Sequence, residues 1–197
     1  MSLSQIPLWQ EQAPMPPELG RDPLPGSVDV AIVGGGYTGL GAARRLHKLG
    51  LSAAVIERAP IGFGASSRNG GKALVGLKHD ASRVVKDYGF ERGEALWRAA
   101  LEGIDLVERI VAEEGIDCEF ERTGSAYLAC KPSHYAAMQR ESEWLAQHFS
   151  YERIDVNRAD LAGEIGTDAY HGATIDPPSA GLHPAKWVRG LARAAAK

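Results

Sequence analysis

The run Gly34-Gly35-Gly36-Tyr37-Thr38-Gly39 constrains this chain more than any other stretch, because of what stands on either side of it. Before it comes Val28–Val33 (VDVAIV), a short apolar run rich in β-branched residues. That composition predicts a buried parallel strand. After it, Leu40, Ala43, Leu46 and Leu49 recur at helical spacing between Thr38 and Leu49, and Gly50 stops the helix. Ser52–Glu57 (SAAVIE) predicts a second strand. Residues 28–57 therefore make one β-α-β unit with parallel strands, and such a crossover is right-handed.

A G-x-G-x-x-G run alone is a weak signal, but between a strand and a helix it has the context that a dinucleotide site needs. Gly34 permits the tight turn, Gly36 lets a pyrophosphate approach the backbone, and Gly39 lets helix and strand pack closely. The N–H groups of Tyr37 and Thr38 open the helix, where a partial positive charge favours phosphate. Glu57 ends the second strand 18 residues after Gly39. Its carboxylate suits the hydroxyls of an adenosine ribose and repels a 2′-phosphate, which disfavours NADP. Arg58 reads first as a solvated charge, with an adenine contact as the alternative. A glycine-rich turn without any nucleotide is the bland reading of the whole motif.

The fingerprint does not separate FAD from NAD. A second loop follows, Gly62-Phe63-Gly64-Ala65-Ser66-Ser67-Arg68-Asn69-Gly70-Gly71. Backbone N–H groups in such loops bind anions and polarise ring carbonyls. Ser66 is placed to donate to a phosphate and Arg68 to balance its charge; a flexible surface loop is the alternative.

Composition narrows the class. The 197 residues carry a formal charge of −3 and are 44% hydrophobic, an ordinary globular balance. No basic stripe marks a nucleic-acid surface, and no apolar run approaches a membrane span. The N-terminal stretch lacks the pattern of a secretory signal. Cys118 and Cys130 make neither a disulfide framework nor a zinc cluster, so no metal is expected and a reducing, cytoplasmic setting is the default. The six prolines among residues 1–27 exclude a long helix there and predict an extended arm pinned by Trp9, or a disordered leader.

Beyond residue 80 the pattern predicts helices at Asp80–Tyr88, Glu94–Glu114 and Ser133–Phe149, the last capped by Ser133. Strands are expected at Phe120–Ala129, with Gly124 as a bend, and at Ala169–Ile175. Pro184 opens a final helix that has no closing Gly or Asn, so the chain reads as cut off within a larger fold.

The segments DVAIVGGGYTGLGAARRLHKLG, VIE and GFGASSRNGG together resemble the FAD-dependent oxidoreductases of the D-amino-acid oxidase (DAO) type. They are most similar to the branch of gamma-glutamylputrescine oxidoreductases and related amine oxidases. The arm with its Trp and the later GLHPAKWVRGLARAA are similar to that branch too, so the resemblance runs along most of the chain. It implies an α/β fold: a Rossmann-like FAD-binding β-α-β unit with part of a second, mixed α+β substrate domain. The expected divisions are an arm (1–27), the FAD-binding unit with its glycine loop (28–80), a partial substrate domain (81–176) and a return helix (177–197). FAD is the implied cofactor. Gly34, Gly36 and Gly39, with the backbone of Tyr37 and Thr38, would hold its pyrophosphate. Glu57 would bind the ribose, Ala65 and Ser66 would line the pyrophosphate and ribityl chain, and Asn69, Gly70 and Gly71 would approach the isoalloxazine. Family members often have Gly where Ser67 stands. His183 reads as a capping or packing residue before it reads as a base, and no catalytic residue is assigned.

The implied reaction moves a hydride equivalent from the carbon beside an amine nitrogen to the flavin, on an amine or amino acid, with a gamma-glutamylputrescine-like molecule as one substrate. Family members continue well beyond residue 197. The alternatives are a non-catalytic FAD-binding fragment or subunit completed by a partner chain or a second copy, and an NAD-dependent dehydrogenase, against which the GASSRNGG loop speaks.

Overall fold

The structure, a computed structural model, describes residues 5–20 and 23–196. Expectations for the arm at residues 1–4, 21 and 22 lie outside the described residues. The chain is a mixed α/β protein made of two compact units. One comprises residues 1–72, 108–120 and 182–197; the other comprises 73–107 and 121–181.

The first unit is built on the predicted β-α-β. Strands β1 (Val30–Val33) and β2 (Ala53–Ile56) pair in parallel, from Val30 opposite Ala53 to Val33 opposite Ile56. Helix α2 (Tyr37–Lys48) connects them and buries Leu40 and Ala43. The final helix α7 (Pro184–Ala195) packs on α2 and buries Trp187, Val188 and Leu191. Burying apolar side chains of this size is worth roughly 1.5–3 kcal/mol each. Arg44 of α2 is buried as well. Its Nε donates to Glu114 at 2.8 Å and an Nη to Glu113 at 2.5 Å, with Lys48 also reaching Glu113 at 2.6 Å. These bonds tie α2 to the end of helix α4 (Phe90–Glu114).

Two details differ from expectation. The β1 run is not buried on both faces: Val30 and Ile32 are half-buried while Ala31 and Val33 are exposed, Val33 by 89%. Among the described residues β1 pairs with β2 alone, and with α2 packed on the pair β1 alternates as a one-sided strand does. The arm is not wholly extended either. It contains a five-residue helix, α1 (Leu8–Gln12), that buries no residue.

Strand β3 (Lys72–Ala73) follows the Gly62–Gly71 loop. The second unit holds helix α3 (Ala81–Tyr88), most of α4, and a three-stranded antiparallel sheet of β4 (Ser125–Leu128), β5 (Ile154–Asn157) and β6 (Gly172–Asp176), with β6 in the middle. Helix α5 (Pro132–Phe149) packs on β6, and Val156, Leu161 and Ala173 form a buried cluster. Trp97 meets Phe149 and Tyr151 at ring-centroid distances of 6.0 and 5.2 Å. The fully buried Asp176 accepts hydrogen bonds from Tyr151 Oη (2.8 Å) and Arg153 Nε (2.9 Å). Burial and that carboxylate push the Tyr151 hydroxyl far above its ordinary pKa.

The expected strand over 120–129 shrinks to β4, because Gly124 turns the backbone with φ +72°. Ser133 does not cap α5: the helix begins at Pro132, with extended Lys131 at the cap position and no side-chain cap bond. Strand β5 and the short helix α6 (Leu161–Ile165) are absent from the sequence reading. Only Val156 in β5 and Leu161 in α6 are buried, so neither shows an apolar period.

Candidate functional site

The turn from β1 into α2 is shaped by contacts that exclude a side chain. A Cβ on Gly39 would lie 2.0 Å from the Gly34 carbonyl oxygen and 3.1 Å from Ile32 Cγ2. The Gly34 backbone sits at φ +106°, a conformation that glycine adopts at little cost. The cap position of α2 is Gly36, with no side-chain cap bond. The first-turn N–H groups of a helix have no partner within the helix, so α2 presents donors at this end.

One of those donors is met by the second loop. A short 3-10 turn, Ala65–Ser67, brings Ser66 Oγ to within 3.1 Å of the Tyr37 N–H. A Cβ on Gly36 would stand 3.0 Å from the same oxygen, so Gly36 is what lets Ser66 come in. The Ser66 oxygen accepts this bond, and its hydroxyl proton remains to be donated. Asn69 closes the arrangement. Its Nδ2 donates to Tyr37 Oη (3.1 Å) and to the Ala65 carbonyl (3.0 Å), while its Oδ1 accepts from the Gly71 N–H (2.9 Å). Tyr37 Oη in turn donates to the Pro184 carbonyl at 3.4 Å, and burial raises its pKa. Tyr37, Ala65, Ser66, Asn69, Gly70 and Lys72 line an open hollow of about 510 Å³.

Glu57 lies at the far end of the turn. Its Oε2 accepts from the Gly35 N–H at 2.8 Å and its Oε1 from the Ala59 N–H at 3.0 Å. The Gly35 N–H is the main reason the carboxyl is held below its ordinary pKa, with the Ala59 N–H next and the charge of Arg58 a smaller contributor. Two carboxylate oxygens offer about four acceptor positions, so lone pairs remain for incoming hydroxyls. Glu57 also lines a second hollow, of about 710 Å³, with Leu24, Val55, Ile56 and Ile61.

The structure thus gathers Gly34, Gly36, Tyr37, Gly39, Ala65, Ser66, Asn69 and Gly70 around one turn, with Glu57 bonded to its backbone. Thr38 is exposed in the first turn of α2. Gly71 is buried, with its carbonyl accepting from the Leu182 N–H at 2.8 Å. Two charges are placed elsewhere. Arg68 lays its guanidinium over the Phe63 ring, 4.3 Å from the centroid, and is not among the residues lining either hollow. Exposed Arg58 lines neither. Asn69, expected at a flavin ring, uses its whole amide to hold the loop.

Several contributors escaped the sequence reading. Lys72 brings a cation to the first hollow. Ser67 is buried and donates to the Gly62 carbonyl at 2.5 Å. Gln10 Nε2 donates to Ser67 Oγ at 2.6 Å. Trp9 does pin the arm: its Nε1 donates to the Asn69 carbonyl at 2.9 Å, and its ring meets His183 edge-on at 4.8 Å. His183 itself caps α7, accepting from the Lys186 N–H through Nδ1 at 3.3 Å. Burial lowers its pKa.

Comparison with known proteins bears on the family and the fold. A family model described as FAD dependent oxidoreductase (DAO) matches residues 29–197. The chain is 33% identical over 170 residues to a probable oxidoreductase OrdL of Haemophilus influenzae, covering 84% of this chain and 38% of that protein. It is 32% identical over 168 residues to the gamma-glutamylputrescine oxidoreductase of Escherichia coli, covering 84% and 39%. The chain therefore spans about two fifths of the length of these relatives. Among solved structures, glycine oxidase from Geobacillus kaustophilus superposes with a TM-score of 0.67 at 24% identity, over 86% of this chain and 44% of that one. That likeness shows the shared fold. Among the described residues, no helix is long and apolar enough to cross a membrane.

Proposed function

The chain belongs to the DAO family of FAD dependent oxidoreductases, and from that premise we propose that it is the cofactor-holding part of an enzyme oxidising the C–N bond of an amine or amino acid. The observation that carries the reading is that the turn into α2 is bonded on one side to Ser66, which lines the first hollow, and on the other to the Glu57 carboxylate, which lines the second. A molecule with a central pyrophosphate and an adenosine end requires that pairing of donors and acceptor.

In this reading the Thr38 N–H and the Ser66 hydroxyl, its oxygen held by the Tyr37 N–H, bind the pyrophosphate, with Gly34, Gly36 and Gly39 keeping the backbone clear of it. Glu57 stays ionised and accepts from the ribose hydroxyls. Ala65, Gly70 and Gly71 line the path toward the flavin ring, and Asn69 holds that path open. Bound FAD supplies the acceptor for the hydride equivalent that leaves the carbon beside the amine nitrogen. His183 is occupied as a helix cap and takes no catalytic role here. Within this class a gamma-glutamylputrescine-like amine is the first substrate to test, from the name of the Escherichia coli relative. A second reading is a cofactor-binding piece completed by another polypeptide, and the exposure of Val33 and Ile56 on the two-stranded sheet favours it.

The test is a visible absorption spectrum of the 197-residue chain before and after added FAD, with Gly36→Val alongside. The parent should give a bound-flavin spectrum, and the variant should give none while keeping its far-UV circular dichroism. No bound flavin in a folded parent, or equal binding by the variant, would sink the reading. Bound flavin without reduction by amines would favour the second one.

A further inference from the structure

We propose that Trp9 and Gln10 are positioning residues of the flavin site: the arm acts as a clamp that sets the second glycine loop in the shape that carries Ser66 to α2. This rests on the flavin reading above. Apolar burial does not hold the arm's helix in place: α1 buries no residue, and Ile6 and Leu8 are about 60% exposed. Its polar groups, in contrast, reach both ends of the loop. Gln10 Nε2 donates to the Phe63 carbonyl at 3.3 Å and to Ser67 Oγ at 2.6 Å. Trp9 Nε1 donates to the Asn69 carbonyl at 2.9 Å.

These contacts form a continuous path. Ser67 uses its proton on the Gly62 carbonyl and takes the Gln10 N–H on its oxygen, so this buried hydroxyl is both donor and acceptor. The Asn69 backbone is fixed by Trp9, while its side chain reaches Tyr37 Oη and the Ala65 carbonyl. Tyr37 is the residue whose N–H meets Ser66. The loop contains Gly62, Gly64, Gly70 and Gly71, and glycine loses more conformational freedom on ordering than any other residue. A loop ordered in advance by the arm costs less to order when a ligand arrives.

The experiment is an FAD titration of the 197-residue chain, followed by flavin absorbance, for the parent, Trp9→Phe, Gln10→Ala and the double variant. Trp9→Phe keeps a ring against His183 and removes only the donor. Losing one neutral hydrogen bond should raise the Kd for FAD about fivefold in each single variant. The double variant should bind more weakly than either single variant, by less than the roughly 25-fold product, because both bonds feed one network. Far-UV circular dichroism should not change. Val156→Ala, in the core of the other unit, serves as a control: it should lower the thermal midpoint and leave the Kd alone. Unchanged affinity in Trp9→Phe and Gln10→Ala, beside a parent that binds, would overturn the clamp alone. So would equal weakening by Val156→Ala. A parent that binds no FAD would overturn the flavin reading and the clamp with it.

Discussion

The loops Gly34–Gly39 and Gly62–Gly71 belong to one unit and meet through the bond from the Tyr37 N–H to Ser66 Oγ, yet they are held in different ways. The first is shaped by exclusion. Gly39 is pressed against the Gly34 carbonyl, and the nearest side chain to any added atom on Gly36 is Ser66. Its main side-chain brace is Glu57, on the adjoining strand end. The second is shaped by attraction. Ser66, Ser67 and Asn69 bond across the loop and out of it, and Trp9 and Gln10 approach from about 60 residues away in the chain. A loop shaped by exclusion should fail abruptly when an atom is added. A loop held by several bonds should weaken by degrees when one is removed.

The largest effect should come from Gly39→Val. No rearrangement short of moving α2 relieves a contact of 2.0 Å with backbone. A loss of stability of about 3 kcal/mol, the upper range for overpacking, is expected in a denaturant titration. A variant as stable as the parent would show that the turn is not set by sterics. Glu57→Ala tests the brace and the ribose contact together: FAD affinity should fall by about 1.5–3 kcal/mol, the value of a hydrogen bond to a charged acceptor. Equal affinity would remove Glu57 from the site and leave it as a backbone brace only.

The smallest effect is a difference in acid response. The Glu57 carboxyl lies below its ordinary value of 4.5, so its contribution is present above that value and is lost only as pH falls through the lower folded one. His183, which touches Trp9, also lies below its ordinary value, 6.5. For a histidine this means that the neutral form is favoured in the fold. Its contribution is complete above 6.5 and is lost progressively as pH falls below it, because the unfolded chain then binds the proton first. Protonation also removes the Nδ1 lone pair that caps α7. As pH falls below 6.5, the Leu182 amide bonded to Gly71 should lose hydrogen-exchange protection, after correction for intrinsic rates, while the Gly35 amide bonded to Glu57 keeps it until the carboxyl itself titrates. His183→Asn, which retains a capping oxygen, should flatten the first response. Parallel behaviour of the two amides would contradict the contrast.

What could be read in advance follows the same line. The β-α-β unit, its glycine turn and the acidic residue at the end of β2 are local: each lies within about 20 residues of the next, and period and spacing report such features directly. The long helices α4 and α5 were legible for that reason too. Strand β5 and helix α6 were not, because a single buried residue in each leaves no period to find. Ser133 has the right side chain for a cap but stands inside α5, because Pro132, acceptable in a first helical turn, starts the helix one residue before it.

By itself, then, the chain's order of residues determined a nucleotide-type turn, the helix that follows it, the carboxylate that braces it and a family resemblance that the comparisons share. Only the tertiary structure decided which side chains hold the second loop. Ser67 became a buried bridge, Asn69 a brace, Arg68 a partner for Phe63 and Trp9 an anchor. A bond's partner depends on which distant segments folding brings within about 3 Å, and no local pattern in the chain encodes that distance.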